Sequence, residues 1–195
     1  MKSKWYLFWR CPAANVLYRI SNTDTKRKID ADMCRYLARG TAGQKHTKKI
    51  LLLDALLLSQ DKTFRSVFYY RCRAHKGLCA VSKLFLPSVR EIELYGDIGE
   101  GLLLSHNYMV VHPHKAGRNL RVDAGVVIGT NNGQFPTLGD NVSIGANATV
   151  IGGITVGSNV TIEAGSVVTK DLADGAVYGG NPAVFIREAD NTGEA

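Results

Sequence analysis

The chain has 195 residues, of which 45% are hydrophobic, and its formal net charge is +7. No apolar run reaches the roughly 20 residues that a membrane-spanning helix needs, and the aromatic stretch near the N-terminus ends at Arg10, too early for a secretory signal peptide. The four cysteines form no CxxC pair and no His/Cys ligand spacing. We therefore expect reduced thiols, no metal and a cytoplasmic protein.

The charge is unevenly distributed along the chain. Residues 1–95 carry 19 Lys and Arg against 7 Asp and Glu, a net charge of +12, whereas residues 96–195 carry 5 against 10, a net charge of −5. Solvated basic helix faces are the simplest explanation. The alternative is peripheral association with an anionic membrane, at its inner face, or attraction to a phosphate-bearing acceptor. No nucleic-acid-binding motif accompanies the charge, so we expect no nucleic acid partner.

The N-terminal region, residues 1–90, has the apolar spacing and capping signals of helices. Four helices are predicted: from Asp24 or Thr25 toward Arg39, over KKILLLDALLLSQ, from about Lys62 to near Gly77, and over LCAVSKLFLP. Apolar stripes at this spacing are usually packing surfaces, so we expect a helical collar without catalytic residues.

An aliphatic residue returns at every sixth position of the second half, with one jump of ten. The twelve positions are Ile98, Leu104, Val110, Ala116, Val122, Ile128, Leu138, Ile144, Val150, Val156, Ile162 and Val168. A six-residue repeat fits one short strand plus a corner, and three repeats close one triangular coil of a parallel β-helix. We predict a mostly β fold, with a β-helix of about four coils over residues 91–188 and a C-terminal tail over 189–195.

The jump of ten residues separates Ile128 from Leu138 and leaves four residues more than a coil needs. These residues must leave the coil as a loop, and loops on rigid scaffolds often carry function. We therefore expect this loop, which includes Gln134 and Phe135, at the active site. A tolerated insertion without function is the alternative.

The repeat segment TLGDNVSIGANATVIGGITVGSNVTIEAGSVVTKD, followed by GGNPAVFIRE, resembles the hexapeptide-repeat acyltransferases. These proteins fold as left-handed β-helices and transfer acyl groups from acyl-CoA. Within them, GEGLLLSHNYMVV is similar to the serine acetyltransferase branch, which includes O-acetyltransferases of capsules and other surface polysaccharides. The resemblance covers residues 89–188, and it implies acetyl-CoA as co-substrate and a homotrimer with sites at the subunit junctions.

The resemblance also implies catalytic residues. His106 matches the catalytic base of the branch, and Glu91 falls where the branch keeps an aspartate that orients this base. Imidazole can remove the proton of an acceptor hydroxyl near neutral pH, so transfer would be direct. His112 and His114, in VVHPHK, are alternative bases. A solvated coil residue is the simpler interpretation of His106.

The acceptor is indicated by departures from the branch. Ser105 stands where the branch has an aspartate beside its histidine, and Gln134 and Phe135 stand where it has an Arg-His pair beside the serine substrate. We therefore expect O-acetylation of a sugar in a surface polysaccharide precursor. The alternatives are a serine acetyltransferase of cysteine biosynthesis and a non-catalytic scaffold that binds a membrane or a partner.

Coenzyme A contacts follow from the same resemblance. Pantetheine would lie in the groove between neighbouring β-helices, against the backbone at Ala146 and Ala164. Thr169 and Lys170 would lie near its outer end, and Lys170 and Arg187 would meet phosphate. An ordinary solvated lysine is the simpler interpretation of Lys170.

Overall fold

The structure is a computed structural model, and it describes residues 11–40, 53–54, 56–58 and 62–189. The chain divides into two compact units, Met1–Val89 and Arg90–Ala195. None of the helices described in these ranges combines the length and the apolar character needed to cross a bilayer.

The first unit is helical, as predicted. Its helices are α1 Pro12–Ile20, α2 Thr23–Gly40, α3 Thr63–Arg71 and α4 Lys76–Phe85. Helix α2 confirms the first predicted helix, whereas α3 ends six residues before the predicted stop at Gly77. Helix α1 was not predicted, although Pro12 in its first turn is a recognised start signal. The predicted helix over KKILLLDALLLSQ lies mostly outside the described residues.

A buried ion pair joins α2 to α3 in this unit. The Arg71 guanidinium donates two hydrogen bonds to the Asp32 carboxylate, at 2.8 and 3.1 Å, and both side chains are almost fully buried. Next to it, the rings of Tyr36 and Phe64 meet edge to face, with centroids 5.2 Å apart. Removing one partner of such a pair would leave an uncompensated buried charge, so these contacts fix how the two helices pack.

The second unit is a β-helix built from fifteen short strands in its described residues. The strands are β1 Ile92–Leu94, β2 Asp97–Ile98, β3 Leu103–Leu104, β4 Met109–Val111, β5 Lys115–Ala116, β6 Arg121–Val122, β7 Val127–Gly129, β8 Thr137–Leu138, β9 Ser143–Ile144, β10 Thr149–Ile151, β11 Thr155–Val156, β12 Thr161–Ile162, β13 Val167–Val168, β14 Ala176–Gly179 and β15 Val184–Glu188.

Three parallel sheets form the sides of this β-helix. The first sheet has the order β1-β4-β7-β10-β13, the second β11-β8-β5-β2, and the third β15-β14-β12-β9-β6-β3, in which only β15 is antiparallel. We call the turns after first-sheet strands the first corner, those after second-sheet strands the second corner, and those after third-sheet strands the third corner. The predicted β-helix is confirmed, with about five turns because β1 and β14 extend the repeat at its two ends.

The aliphatic ladder fills the interior, and eleven of its twelve predicted positions are buried. The exception is Val110, which is half-buried, while Val111 is fully buried and pairs with Ile128. The turn after Leu104 holds one residue more than the equivalent turn after Val122, which shifts β4 by one position. The prediction that Val110 points inward was therefore wrong. The shift is not visible in the repeat spacing, because the turn after Val111 is one residue shorter and restores the six-residue period.

The outer faces of the three sheets differ in polarity. On the first sheet, one outward column begins with Glu93 at the end of the β-helix and continues with Val110, Val127, Thr149 and Val167. The equivalent column of the second sheet is polar and consists of Asp97, Lys115, Thr137 and Thr155. The equivalent column of the third sheet consists of Leu103, Arg121, Ser143, Thr161 and Val177, and its two apolar members are buried. The first sheet therefore carries the aliphatic outer face of the β-helix.

An asparagine ladder runs along the second corner. Asn119, Asn141 and Asn159 all have a positive φ, between 56 and 61°, a conformation that asparagine tolerates better than most residues. The side-chain amide of each of the first two donates to the amide oxygen of the next, at 2.9 and 2.8 Å. This corner is therefore held by side-chain hydrogen bonds from coil to coil.

Candidate active site

His106 lies at the third corner, in the turn between β3 and β4, and its side chain is exposed. This is the turn that holds the additional residue, and it ends at Tyr108, whose φ is 62°. The preceding residues Leu104 and Ser105 are buried. The buried strand end therefore anchors the turn, and the imidazole of His106 stands on it in contact with solvent.

Glu91 lies at the same corner one coil earlier, immediately before β1, and its side chain is exposed. Its backbone oxygen accepts a hydrogen bond from the N–H of Met109, in the coil that carries His106. Within the described part of the chain, the carboxylate of Glu91 forms no hydrogen bond or ion pair with His106. The two side chains stand on neighbouring coils, about 4.8 Å apart along the axis. The orienting role of Glu91 stays a prediction.

The two alanines predicted to contact coenzyme A share this corner with His106. Backbone hydrogen bonds connect Asn147 N–H to Ala124 O at 2.7 Å and Gly165 N–H to Ala146 O at 2.8 Å, so Ala124, Ala146 and Ala164 stand on successive coils. At about 4.8 Å per coil, Ala146 lies about 10 Å and Ala164 about 14 Å from His106 along the axis. Small side chains leave the backbone of this corner accessible beyond the histidine.

His112 lies at the first corner and is held between two aromatic rings. Its ring centroid is 4.9 Å from that of Tyr95, in the previous coil, and 4.2 Å from that of Phe135, in the next. The rings are tilted by 38 to 39°, and the His112 side chain is half-buried. The structure thus brings His112 and Phe135 together, but at a different corner from His106.

The predicted loop is a tight hairpin at the first corner. The backbone groups of Asn131 and Gln134 exchange two hydrogen bonds, at 3.1 and 3.2 Å, around Asn132 and Gly133, which both have a positive φ. The Gln134 side chain covers Gly153, where a Cβ atom would lie 2.6 Å from its amide oxygen. Gly153 therefore allows the loop to pack directly on the following coil.

The remaining predicted residues are dispersed. His114 is exposed at the first corner, where its N–H donates to Pro136 O at 2.9 Å. Thr169 and Lys170 follow β13 at the same corner and are exposed. Arg187 is exposed on β15 at the end of the third sheet. Within one copy of the chain, Lys170 and Ala164 thus stand at different corners of the β-helix.

Two residues near these groups were missed in the sequence. Tyr95 precedes His112 by 17 residues, and Asp123 follows Ser105 by 18 residues. Each spacing corresponds to one complete coil, but only the 18 residues between Ser105 and Asp123 equal three repeats, so comparing positions three repeats apart would have found Asp123 and not Tyr95. In the described ranges, no group of three His, Cys, Asp or Glu side chains could hold a metal ion.

The repeated coils, the glycine-rich corners and the inserted loop define a left-handed β-helix of the hexapeptide-repeat class. Residues 135–170 match the family model described as bacterial transferase hexapeptide (six repeats). The β-helix of this chain therefore carries the hexapeptide repeat found in these transferases.

Similar proteins come from the serine acetyltransferases and from polysaccharide biosynthesis. Serine acetyltransferase 4 of Arabidopsis thaliana is 34% identical over 83% of this chain and 47% of its own length. WcaB of Escherichia coli K12, named as an acetyltransferase of colanic acid biosynthesis, is 40% identical over 48% of this chain and 60% of its own. The crystal structure of a Brucella abortus serine acetyltransferase in complex with coenzyme A has a TM-score of 0.68 at 22% identity, covering 91% of this chain and 73% of that one. The chain spans less than half the length of the Arabidopsis serine acetyltransferases that it matches.

Proposed function

We propose that this protein is an acetyl-CoA-dependent O-acetyltransferase with His106 as its general base. The observation that carries the proposal is the third corner, where one exposed histidine is followed by coils with alanine at the equivalent position. This arrangement offers a base at one end and an accessible backbone edge along which a pantetheine chain could lie. The coenzyme A complex of the Brucella enzyme, which has the same fold, supports coenzyme A as the carrier.

The chemistry follows from an imidazole at this position. His106 removes the proton of the acceptor hydroxyl as its oxygen attacks the thioester carbonyl carbon, and the carbonyl oxygen becomes an oxyanion. The tetrahedral intermediate collapses by breaking the C–S bond, and the imidazolium returns its proton to the leaving thiolate. Backbone N–H groups near the turn would stabilise the oxyanion, and Glu91 would orient the imidazole.

Serine is the first candidate acceptor. One serine acetyltransferase matches 83% of this chain in sequence, and the solved structure of another covers 91% of it. Gln134 and Phe135 weaken this candidate, because an amide and a phenyl ring carry no positive charge to bind the carboxylate of an amino acid.

A sugar hydroxyl is the second candidate acceptor. It is supported by the 40% identity to WcaB. It is also supported by Phe135 and Gln134, since an aromatic ring and an amide are groups suited to an uncharged polyol. Both candidates use the same base and the same donor, so the acceptor can be decided without changing the proposed mechanism.

We also propose a homotrimer with sites at the subunit junctions. The aliphatic outer face of the first sheet, with Val127 at its centre and 39% exposed, is the surface that would be buried between copies. A junction would also bring a first corner, with Lys170, close to the third corner of another copy. Sedimentation should give a trimer, and Val127→Glu should dissociate it, whereas a fully active monomer would contradict this assembly.

The decisive experiment measures coenzyme A binding and then acceptor-dependent thiol release. We expect calorimetry to detect coenzyme A binding and acetyl-CoA consumption to require either L-serine or a saccharide. Parallel assays with the two acceptor classes identify the substrate. Absence of coenzyme A binding by the folded protein would refute the proposal and favour a non-catalytic scaffold.

A further inference from the structure

Asp123 lies at the third corner, directly one coil after Ser105. The N–H of Ser105 donates to Val122 O, and the N–H of Asp123 donates to Ile144 O, at 2.9 and 3.0 Å, so both residues occupy the same position of successive coils. The carboxylate therefore stands about 4.8 Å along the axis from the turn that holds His106. It lies on the side of that turn where Ala146 and Ala164 follow.

One oxygen of this carboxylate is buried without a hydrogen-bond donor. Among the described residues, no donor forms a hydrogen bond to Oδ1 of Asp123, and its cationic neighbour is Nε of Arg121 at 3.5 Å. The side chain as a whole is 26% exposed, so it is still reachable from solvent. Buried carboxylate oxygens almost always accept hydrogen bonds, so this oxygen, beside the turn of His106, has the capacity to accept one from a bound ligand.

We propose that Asp123 binds the acceptor, by accepting a hydrogen bond from an O–H or N–H group next to the hydroxyl that reacts. This inference rests on the proposed O-acetyltransferase function. A carboxylate can only accept hydrogen bonds, and the thioester group of acetyl-CoA offers no donor, whereas the amide N–H groups of pantetheine are donors that would compete for this oxygen, so coenzyme A affinity is measured beside the acceptor KM. Both candidate acceptors carry suitable donors, the ammonium group of serine and the neighbouring hydroxyls of a sugar.

The role differs from that of the base. Asp123 selects and orients the acceptor, whereas His106 moves the proton. Losing a hydrogen bond to a charged group weakens binding by roughly ten- to a hundredfold. Asp123→Ser, which removes the carboxylate, should therefore raise the KM for the acceptor by that factor, and Asp123→Asn, which keeps a neutral acceptor oxygen, should raise it by more than about threefold, while kcat and the affinity for coenzyme A change less than about threefold.

Arg121→Gln is the matched control, because it removes the ion pair to Asp123 but keeps the carboxylate. Each variant is assayed for thiol release with L-serine and, separately, with D-galactose, and its thermal unfolding is recorded. For a serine-using enzyme, 3-hydroxypropionate, which lacks the ammonium group, should be a poor substrate of the wild type and equally poor for Asp123→Asn. Asp123→Ser introduces the residue type that Ser105 provides at the equivalent position one coil earlier, and it is a second variant without the carboxylate.

The expected result is a raised acceptor KM in both Asp123 variants and an unchanged one in Arg121→Gln. An acceptor KM within threefold of wild type in either Asp123 variant would overturn the inference. An equal rise in Arg121→Gln, or weaker coenzyme A binding by Asp123→Asn, would overturn it as well. A wild-type protein that acetylates neither probe would instead refute the proposed function and the inference that rests on it.

Discussion

The first and third corners of the β-helix both carry histidines, but they hold them differently. His106 stands exposed on a turn with one additional residue, and the coils that follow carry only small side chains at its position. His112 is stacked between Tyr95 and Phe135 and is half-buried. A general base needs access to the substrate proton, whereas a stacked ring contributes packing. Under the proposed function, the comparison places proton transfer at His106 on the third corner and gives the His112 ring on the first corner a packing role.

The largest effect is expected from His106→Ala. Loss of general base catalysis should lower kcat by roughly a hundredfold to ten-thousandfold and leave acetyl-CoA affinity nearly unchanged. His112→Ala and His114→Ala serve as controls from the first corner and should lower kcat much less. A near-wild-type rate for His106→Ala, with an inactive but folded His112→Ala, would reverse the comparison.

Glu91→Gln should have an intermediate effect on the third corner. The amide can still hold the imidazole but cannot stabilise the imidazolium that forms during transfer, so we expect kcat to fall roughly ten- to a hundredfold. Glu93, on the exposed outer face of β1, provides the matched control Glu93→Gln. Equal rates for both variants, measured under saturating substrates, would remove Glu91 from the mechanism.

Substitutions in the aromatic stack of the first corner should change the free energy of unfolding. Phe135→Ala removes one ring of the stack, and aromatic pairs contribute about 0.5–1.5 kcal/mol beyond the area that they bury. A double-mutant cycle between His112→Ala and Phe135→Ala, followed by chemical denaturation, should give a coupling free energy in this range. Strictly additive losses would mean that the two rings pack independently.

The second corner has neither histidine and gives the smallest expected effect. Asn141→Gly should lose the two amide hydrogen bonds of the ladder, about 1 kcal/mol or less for solvated groups, while keeping the positive φ of 56° accessible. Asn141→Ala should cost about 1 kcal/mol more, because alanine disfavours this conformation. Both free energies of unfolding can be measured in urea, and kcat should stay unchanged. Equal free energies of unfolding for the two variants would indicate that the backbone of the turn changes its conformation to accommodate alanine.

The sequence predicted the interior of the β-helix well. One residue of every strand must point inward and be aliphatic, so aliphatic residues recur at every sixth position whatever the surface residues are. It failed at Val110, where an extra residue after Leu104 and a missing one after Val111 cancel within a single coil. It also gave no indication of the stack of Tyr95, His112 and Phe135. Such contacts depend on which coils become neighbours, and the coil lengths had first to be known.

The fold places the predicted site residues at different corners of the β-helix instead of bringing them together. A resemblance along the chain could place His106, Ala146 and Ala164 in one set with Lys170. Three-dimensional position then assigned Lys170 to the first corner and the other three to the third. The hexad count contains this division, because every third hexad returns to the same corner, whereas matching motifs along the chain does not use it.

The most direct test of the account is a crystal structure of the protein with coenzyme A bound. We predict that the pantetheine chain lies along the third corner past Ala164 and Ala146 and that its sulfur approaches the imidazole of His106, with reacting atoms about 3–3.5 Å apart once substrates are in place. A sulfur atom bound beside His112, at the first corner of the same copy and remote from every His106 in the assembly, would contradict the assignment of the active site.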